Sequence, residues 1–302
     1  MKKVLITGAL GQDGVILSRI FQKKNFEVHG FIEKKKKIKI PKVKYNFNNL
    51  TSQKKIRNHL KIIKPNIIIH LASKNETYET RKTEKNYKVN YLKNLKCTSN
   101  LLTSIIKLDL KTKLIFAGSS LMFKNSNKKV SEKTALKSND YYGNYKIDAH
   151  KMIMRMKKKK KIDASTAILF NHDSVFRNKK FLLPRLVKSF INKDLKFIKD
   201  IYKLNVNGDF SHAEDICNGI YKLSITKKKI DMLILSSGKR FYINKIINYL
   251  EKYFQYNIKK TYSDKNLNYR IVGSNKLAKK LINYKTLKSP VNACKEILEN
   301  YL

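Results

Sequence analysis

Short apolar runs separated by amphipathic segments make up the first 170 residues of the chain. Runs of about four to eight apolar residues are typical of strands that are buried on both faces. They lie at residues 3–7, 26–32, 66–71, 114–117 and 164–170. Apolar positions three and four apart predict helices between these runs, at residues 15–24, 86–106 and 141–156. Strands that alternate with helices predict an α/β fold, a Rossmann-type doubly wound parallel sheet with helices on both faces.

The pattern is looser after residue 170. It predicts helices at residues 182–191, 215–225, 244–253 and 277–282 and a strand at 232–235. We therefore expect residues 1–168 to form the sheet domain, together with a returning segment near residues 206–230. Residues 169–302 should form mainly a smaller C-terminal α/β domain.

The charge balance is strongly basic, with 67 Lys and Arg residues against 22 Asp and Glu residues and a formal net charge of +45. A nucleic-acid-binding surface would concentrate the cations on one face, with aromatic residues between them. Here lysines occur along the whole chain, and their runs lie at residues 34–37, 157–161 and 227–229. Lysine therefore fills exposed positions generally, and nucleic-acid binding is the less favoured of the two interpretations.

Cysteine usage and hydropathy bear on the location of the protein. Cys97, Cys217 and Cys294 are far apart in sequence, so neither a disulfide framework nor a CxxC zinc site is indicated, and we expect no metal. No apolar run approaches the roughly 20 residues that a membrane span needs, and residues 1–15 lack the apolar core of a signal peptide. We expect a cytoplasmic protein with no membrane partner.

Three glycines, Gly8, Gly11 and Gly14, follow the first predicted strand and open the first predicted helix. In this context the first glycine permits a tight turn, the second lets the backbone approach a pyrophosphate, and the third lets helix and strand pack closely. The unpaired N–H groups of the helix N-terminus then face the phosphates. The motif predicts that the sheet domain binds a dinucleotide.

The choice between NAD and NADP rests on the end of the second predicted strand. Glu33 lies there, where an acidic residue hydrogen-bonds the adenosine ribose of NAD. Lys34 to Lys37 follow directly, and cations at this place accept the 2′-phosphate of NADP. Both signals are present, and Glu33 as an ordinary surface acid is a third interpretation.

Tyr142 and Lys146 are four residues apart on a predicted helix and therefore share one of its faces. A nearby ammonium group stabilises a phenolate, which can take a proton from a sugar hydroxyl while hydride leaves for a nicotinamide cofactor. Ser119 and Ser120 follow the strand at 114–117, where their hydroxyls can orient the reacting oxygen. Because Tyr and Lys are abundant in this chain, the spacing alone is weak evidence for catalysis. The evidence is the position of the pair, on a helix about two dozen residues after the two serines.

Several segments resemble the GDP-mannose 4,6-dehydratase family of the extended short-chain dehydrogenases/reductases, within the NAD-dependent epimerases and dehydratases. Residues 7–14, Thr-Gly-Ala-Leu-Gly-Gln-Asp-Gly, match that family's TGxxGQDG motif. Glu-Val-His-Gly at 27–30, the segment at 168–174 followed by Arg177 and Phe181, and the segment at 209–215 are also similar to family motifs. The resemblance covers nearly the whole chain and implies NAD(P)-dependent chemistry on a nucleotide-activated hexose, bound mainly by the C-terminal domain.

The resemblance also implies a set of site residues. We expect catalysis by Ser119, Ser120, Tyr142 and Lys146, and substrate binding by Asn171 and Arg185. The predicted cofactor-binding residues are Gly8, Gly11, Gln12, Asp13, Gly14, Glu33, Asn46, Phe47, Leu71, Ala72, Ser73, Tyr142, Lys146, His172 and Arg177. The family likeness and the lysine run favour NADP as the cofactor, with NAD as the alternative.

The chain departs from the family at the catalytic Thr-Ser-Glu segment, which corresponds to Ser119, Ser120 and Leu121. In the dehydratase mechanism that the resemblance implies, the glutamate handles the C5 proton and the loss of the C6 hydroxyl, and Leu121 cannot replace it. An arginine of the family falls at Gly208, and a later Arg/Glu pair has no clear counterpart around residues 264–267.

These observations leave more than one function open. The first is a dehydratase-like enzyme that transfers hydride at sugar C4; the alternative is a 4-ketosugar reductase or C4 epimerase that does not dehydrate. A second alternative is a non-catalytic protein that binds a dinucleotide and nucleic acid, against which the retention of Ser119, Tyr142 and Lys146 argues. For an enzyme we expect a GDP-hexose as substrate and a homodimer or larger homo-oligomer.

Overall fold

The computed structural model describes residues 1–33, 40–74, 84–258 and 270–302. Its strands are β1 (Lys3–Thr7), β2 (Glu27–Ile32), β3 (Lys44–Phe47), β4 (Ile67–His70), β5 (Lys113–Ala117), β6 (Lys129–Val130), β7 (Asp163–Leu169), β8 (Asn171–Asp173), β9 (Asn207–Gly208), β10 (Phe210–His212), β11 (Met232–Leu235), β12 (Phe241–Tyr242) and β13 (Val272–Gly273). Its helices are α1 (Gln12–Lys23), α2 (Gln53–Ile63), α3 (Glu84–Lys107), α4 (Tyr141–Lys158), α5 (Leu182–Ile191), α6 (Leu195–Lys203), α7 (Ala213–Ile225), α8 (Asn244–Phe254), α9 (Lys276–Ile282) and α10 (Pro290–Glu299). The lysine run at 34–37 and the segment at 264–267 lie outside the described residues.

A sheet of seven parallel strands is the centre of the described structure, in the order β3-β2-β1-β4-β5-β7-β11. Strand β1 pairs with β2 on one side and with β4 on the other, so the direction of winding reverses between β1 and β4. Helices cover both faces of this sheet. The predicted doubly wound α/β fold is therefore confirmed.

Alternate residues of each strand enter two separate cores, because successive side chains of a strand point to opposite faces. Val4 and Ile6 of β1 pack in the core that also holds residues of α1, α7 and α9. Leu5 packs in the opposite core, with residues of α2, α3 and α4. A strand that is buried on both faces has no solvated face, which is why β1 and β4 lack the alternation of polar and apolar residues that a half-exposed strand shows.

A third core lies in the C-terminal part of the chain, among α5, α6, α8 and α10. The chain returns to the sheet with α7, which packs with α1, and with β11, which pairs with β7. None of the described helices is long and apolar enough to cross a membrane. The division into a sheet domain at residues 1–168 and a substrate domain at 169–302 stays a prediction.

The glycine turn after β1 generates a test of the packing between β1 and α1. In Gly14→Ala the new Cβ would lie 2.5 Å from the Gly8 carbonyl oxygen and 2.7 Å from backbone carbons of Ala9. Backbone atoms cannot move away as a side chain would, so we expect the free energy of unfolding to fall by about 1–3 kcal/mol, measured by urea denaturation.

Gly11→Ala is the matched control for that substitution. A Cβ on Gly11 would meet only the Gly8 carbonyl oxygen, at 3.3 Å, and the φ of −77° at Gly11 suits any residue. We expect this variant to stay within about 0.5 kcal/mol of the unmodified protein. Equal losses in the two variants would show that close packing at Gly14 is not what the turn requires.

Candidate active site

The winding of the sheet reverses between β1 and β4. Ligands of doubly wound sheets bind outside the carboxyl ends of the strands at such a point, so this edge is the candidate site. Gly8 turns the chain there with a φ of +71°, a left-handed conformation that favours glycine. A Cβ on Gly8 would lie 3.2 Å from Ala72 N and Cα, so the segment after β4 packs directly on this turn. The predicted glycine turn and the predicted Leu71–Ser73 segment thus lie at one edge of the sheet.

Helix α1 begins at Gln12 without a side-chain cap, since its N-cap residue is Gly11. The first N–H groups of a helix have no partner within it and attract anions. Apart from the chain neighbours of Gly11, the one described atom within 4 Å of a Cβ built there is the Gly8 carbonyl oxygen. An uncapped helix start beside a side-chain-free position suits the pyrophosphate of a dinucleotide.

Tyr142, Lys146 and Ser73 form a hydrogen-bonded group at the carboxyl ends of β4 and β5. The Tyr142 hydroxyl lies 3.2 Å from Ser73 Oγ. Lys146 Nζ donates to Ser73 Oγ at 3.3 Å and to the Ala117 carbonyl oxygen at 2.7 Å. Asp140 caps α4 by accepting from Gly143 N at 2.7 Å, which fixes the first turn on which Tyr142 lies. The structure therefore brings the predicted Tyr–Lys pair together.

The Lys146 ammonium group is buried, with a relative exposure of 2%. Burial lowers the pKa of Lys146 to about 7. The rings of Phe116, Tyr142 and Tyr145 lie around it, with centroids 4.9 to 5.2 Å from Nζ. Burial also raises the pKa of Tyr142, although the hydrogen bond from Ser73 acts in the opposite direction.

Ser119 and Ser120 follow β5, as predicted, and Ser119 caps a 3₁₀ turn that spans Ser120–Met122. The Ser119 hydroxyl accepts a hydrogen bond from Leu121 N at 3.2 Å. A Cβ on Gly143 would collide with the Leu121 carbonyl oxygen, so this turn packs on the first turn of α4 beside Tyr142. The Leu121 side chain is 41% exposed. The catalytic roles of Ser119 and Ser120 stay predictions.

Gln12 and Asp13 at the start of α1 bond to the segment around β8. His172 Nδ1 donates to the Phe170 carbonyl oxygen at 2.6 Å, and His172 Nε2 lies 3.0 Å from Asp13 Oδ1. Gln12 Nε2 donates to the His172 carbonyl oxygen at 3.2 Å, and Ser174 Oγ donates to Gln12 Oε1 at 3.1 Å. The two family-like motifs therefore bind each other, and we call these four side chains, Gln12, Asp13, His172 and Ser174, the motif bridge.

The charges of the motif bridge stabilise one another. Burial alone would raise the pKa of Asp13, but the charge and hydrogen bond of His172 lower it to about 2. Burial would lower the pKa of His172, and the neighbouring Asp13 carboxylate outweighs this effect and raises it. The contacts of Gln12, Asp13 and His172 with a cofactor stay predictions; what the structure shows is that they join α1 to β8.

Arg177, Asn171 and Arg185 lie beyond the motif bridge along the chain. The Arg177 guanidinium lies 3.1 Å from Asp173 Oδ1 and 3.6 Å from the centroid of the Phe181 ring. Asn171 Nδ2 donates weakly to the Asp209 carbonyl oxygen at 3.5 Å. Arg185 lies on α5, with its guanidinium 4.2 Å from the Phe197 ring centroid. Their binding roles stay predictions.

The predicted adenosine end of the site lies at the carboxyl ends of β2 and β3. Phe31 is paired with Asn46 and Ile32 with Phe47, so these strands end side by side. Glu33 follows β2, and its exposed carboxylate lies 3.3 Å from Lys93 Nζ. The adenosine contacts of Glu33, Asn46 and Phe47 and the choice between NAD and NADP stay predictions.

A buried polar chain that the sequence reasoning missed supports this edge of the sheet. Thr7 Oγ1 lies 2.8 Å from His70 Nδ1, and His70 Nε2 lies 3.1 Å from Thr98 Oγ1, which is 3.2 Å from the Tyr145 hydroxyl. Burial lowers the pKa of His70 to about 3, and the charge of Lys146 acts in the same direction. His70 is therefore neutral. Thr7 and His70 at the ends of two apolar strands were the available signal.

Gly208 stands where the family resemblance places an arginine, and packing explains why this position holds no side chain. A Cβ on Gly208 would lie 2.9 Å from Arg270 Cβ, so Arg270 occupies the room that a side chain at 208 would need. The neighbouring Asp209 carboxylate accepts hydrogen bonds from Ser237 N and Oγ, at 2.8 and 2.6 Å, and from Gly238 N at 3.0 Å. Burial raises the pKa of Asp209 to about 6. Among the described residues, no cluster of three or more His, Cys, Asp or Glu side chains is placed to hold a metal ion.

Known proteins resemble this chain in sequence. The profile of the family described as GDP-mannose 4,6 dehydratase matches residues 5–288. GDP-mannose 4,6 dehydratase 2 of Caenorhabditis elegans is 23% identical over 269 residues, which cover 82% of this chain and 69% of that protein. A GDP-6-deoxy-D-talose 4-dehydrogenase of Aggregatibacter actinomycetemcomitans is 28% identical over 225 residues, which cover 73% of this chain and 69% of that protein.

Solved structures share the fold over nearly the whole chain. The UDP-glucose 4-epimerase of Thermotoga maritima, solved with UDP-glucose, superposes with a TM-score of 0.85 at 13% identity, covering 99% of this chain and 98% of that chain. The UDP-Glc/GlcNAc 4-epimerase of Campylobacter jejuni gives a TM-score of 0.82 at 17% identity, with 99% and 98% covered. With the profile match over residues 5–288, the chain belongs to the GDP-mannose 4,6 dehydratase family, among the nucleotide-sugar-modifying short-chain dehydrogenases/reductases.

Proposed function

We propose that this protein catalyses NAD(P)-dependent hydride transfer at C4 of a nucleotide-activated hexose, without eliminating water from the sugar. The observation that carries the proposal is the composition of the site. A Tyr142–Lys146 pair with a buried lysine is present, but the position of the family's glutamate holds Leu121. The reaction is then that of a 4-ketosugar reductase, its reverse, or a C4 epimerase.

The hydride step needs one proton transfer, which Tyr142 can perform. NAD(P), when bound, supplies or accepts the hydride. In reduction Tyr142 donates its proton to the sugar O4, and in oxidation its phenolate removes that proton. The positive charge of Lys146 stabilises the phenolate, and one further ammonium proton remains for a ribose hydroxyl of the cofactor. The uncapped start of α1 beside Gly11 is suited to the pyrophosphate.

Elimination of water from C5 and C6 needs a second acid/base group near the sugar. Leu121 offers only an alkyl group at the place where the family has a carboxylate. Two carboxylates near the site residues in sequence are candidates to replace the glutamate, but both have other partners. Asp173 lies 3.1 Å from Arg177 Nε, and Asp140 caps α4. A third, Glu76, lies outside the described residues. The contacts of Asp173 and Asp140 support a reaction without dehydration.

The relatives support two candidate reactions. The talose 4-dehydrogenase is named for a reaction at C4 alone, and its 28% identity exceeds the 23% of the nematode dehydratase. The family name itself favours the second candidate, dehydration of GDP-mannose. The proposal includes a GDP-hexose as substrate, NADP ahead of NAD, a cytoplasmic location and a homodimer or larger homo-oligomer.

A panel of nucleotide sugars separates these reactions. The protein is incubated with GDP-mannose, with GDP-4-keto-6-deoxymannose and with UDP-glucose, each with both oxidised and reduced NAD and NADP. Mass spectrometry reports gain or loss of two hydrogens as hydride transfer, loss of one water as dehydration, and unchanged mass with altered retention as epimerisation. Tyr142→Phe should abolish every one of these activities, because all of them begin with a hydride step.

Cofactor binding can be tested at Gly11. Gly11→Val places a branched side chain in the space beside the start of α1, where we place the pyrophosphate. We expect the affinity for NAD and NADP to fall at least about tenfold, by isothermal calorimetry, while the unfolding midpoint changes little. Unchanged affinity for both dinucleotides would contradict the assignment of the phosphate site.

Burial of the Lys146 ammonium, which the proposed reaction needs, should lower the free energy of unfolding. The pKa of Lys146 is about 7 in the folded protein and about 10.4 in an unfolded chain. Between these values the unfolded chain binds more protons, so the contribution of Lys146 to stability rises with pH across this window. We expect Lys146→Met to abolish activity but to raise the free energy of unfolding at pH about 6, by about 1–4 kcal/mol, and this gain should shrink toward pH about 10.

The matched control is Lys151→Met, at an exposed position of the same helix. It should change the free energy of unfolding by less than about 0.5 kcal/mol at either pH. A Lys146→Met variant that is destabilised at pH about 6 would show that the buried ammonium is stabilising in this fold, against our expectation.

Leu121 decides the reaction class. Leu121→Glu should raise dehydration of GDP-mannose by about 10²-fold or more, because one general acid/base group contributes about 10²–10⁴ in rate. Leu121→Gln has nearly the same shape without an ionisable group and should stay inactive in dehydration. Rapid conversion of GDP-mannose to its 4-keto-6-deoxy product by the unmodified protein would refute the proposal and favour the dehydratase.

A further inference from the structure

Ser73 lies in a segment whose backbone is held on both sides. Ala72 N donates to Thr7 Oγ1 at 3.1 Å. On the other side, Lys74 N donates to Asn94 Oδ1 and the Lys74 carbonyl oxygen accepts from Asn94 Nδ2, both at 2.8 Å. Asn94 is itself buried on α3. These contacts fix the backbone on either side of Ser73, and its two hydrogen bonds then orient the hydroxyl.

The chemistry of the partners sets the direction of the hydrogen bonds at Ser73. Lys146 Nζ has only donors, so Ser73 Oγ accepts from it. A serine hydroxyl has one proton, and this proton remains for the Tyr142 oxygen, 3.2 Å away. When Tyr142 is a phenolate it has no proton to give, so Ser73 must be the donor. The ionised state therefore has a single order, from Lys146 through Ser73 to Tyr142.

The hydroxyl that the family resemblance assigns to catalysis has a different partner. Ser119 Oγ accepts from Leu121 N at 3.2 Å and so caps the 3₁₀ turn. Ser73 is the serine whose hydroxyl contacts both members of the Tyr–Lys pair in the described structure.

We propose that Ser73 is a positioning residue for Tyr142. The Ser73 hydroxyl accepts a hydrogen bond from Lys146 and donates one to Tyr142, and through these two bonds it transmits the effect of the lysine charge to the Tyr142 phenolate. This inference rests on the proposed function, since it concerns the proton that accompanies the hydride. The hydrogen bond from Ser73 lowers the pKa of Tyr142 against the opposing effect of burial, which agrees with this role.

The remaining hydrogen-bonding capacity leaves room for the reaction. Lys146 uses one donor for the Ala117 carbonyl oxygen and one for Ser73, so one of its three protons remains for the cofactor. Tyr142 keeps a lone pair for the substrate hydroxyl. Other charged groups act on Tyr142 as well: Arg177 lowers its pKa, and Asp13 and Asp140 raise it. Ser73 differs from these groups because its hydroxyl contacts both Tyr142 and Lys146.

The test compares Ser73→Ala and Ser73→Thr with the unmodified protein. Ser104→Ala is the control, since Ser104 is a buried serine whose hydroxyl donates to Asn100 O within α3 and touches neither Tyr142 nor Lys146 in the described structure. The first measurement is the pH dependence of kcat for reduction of GDP-4-keto-6-deoxymannose by NADPH. We expect Ser73→Ala to lower kcat about tenfold or more with little change in KM. Its alkaline limb should move to lower pH, because the Lys146 ammonium, whose charge the reaction uses, loses an acceptor.

The second measurement needs no substrate. In protein labelled at lysine Cε, Lys146 is identified as the signal that titrates near pH 7 and is missing in Lys146→Met. Ser73→Ala should lower this midpoint, since the ammonium loses an acceptor. Ser73→Thr should restore both the midpoint and kcat, and Ser104→Ala should change neither.

The two measurements separate the failure of each idea. A Lys146 midpoint that is the same in Ser73→Ala and the unmodified protein overturns the role of Ser73, whatever the activity. Failure of Ser73→Thr to restore the midpoint, or an equal effect of Ser104→Ala, overturns it too, since a merely structural role would then suffice. A lowered midpoint in a protein that neither reduces, oxidises nor epimerises any sugar of the nucleotide-sugar panel supports the coupling through Ser73 and refutes the proposed function.

Discussion

The burial of one ammonium group is the constraint on which the catalytic edge of the sheet depends. Lys146 Nζ lies under Tyr142 with only oxygen dipoles and aromatic faces around it in the described structure, and removing it from water lowers its pKa to about 7. A carboxylate partner would stabilise the charge, but it would also cancel the field that favours the Tyr142 phenolate. The use of Ala117 O, Ser73 Oγ and three rings satisfies the ammonium geometry and keeps its charge effective.

The neutral groups behind the lysine follow from the same constraint. A second cation near Lys146 would raise the cost of burial further, and His70 avoids it by staying neutral. Thr98 Oγ1 donates to the Asn94 carbonyl oxygen, so it accepts from His70 Nε2, and His70 Nδ1 is then the acceptor for Thr7. The polar chain therefore has one consistent order of donors, and it supports the turn that carries Ser73.

The sequence predicted the strands that are buried on both faces, and it missed an exposed edge strand and one amphipathic helix. Strands such as β4 are buried at every residue and appear as uninterrupted apolar runs. Strand β3 lies at the sheet edge with no residue buried, so nothing in its hydropathy separates it from a loop. Helix α2 carries an apolar spacing in Ile56, Leu60 and Ile63, and that signal was overlooked among its lysines.

The site was predictable in its list of residues and less so in their contacts. Gly8, Tyr142 and Lys146 could be placed because strand ends and helical spacing determine where they lie. The pairing of Asp13 with His172 joins residues 159 positions apart, a distance that local pattern does not bridge. The family likeness marked both segments as cofactor contacts, while the structure shows them bound to each other. Ser73 was expected to line the cofactor, and only the geometry shows that it touches both Tyr142 and Lys146.

Acidic residues are scarce in this chain, so few carboxylates are available to replace the family's glutamate, whose position holds Leu121. The chain has 22 Asp and Glu residues against 67 Lys and Arg residues, and the described carboxylates around the site have structural partners. Asp13 pairs with His172, and Asp209 accepts the N–H groups of a turn. Removal of any such carboxylate from its partners to serve an elimination would leave buried donors unsatisfied, at a cost of about 1–3 kcal/mol each. Hydride transfer needs no additional carboxylate, which supports the proposed reaction over an elimination.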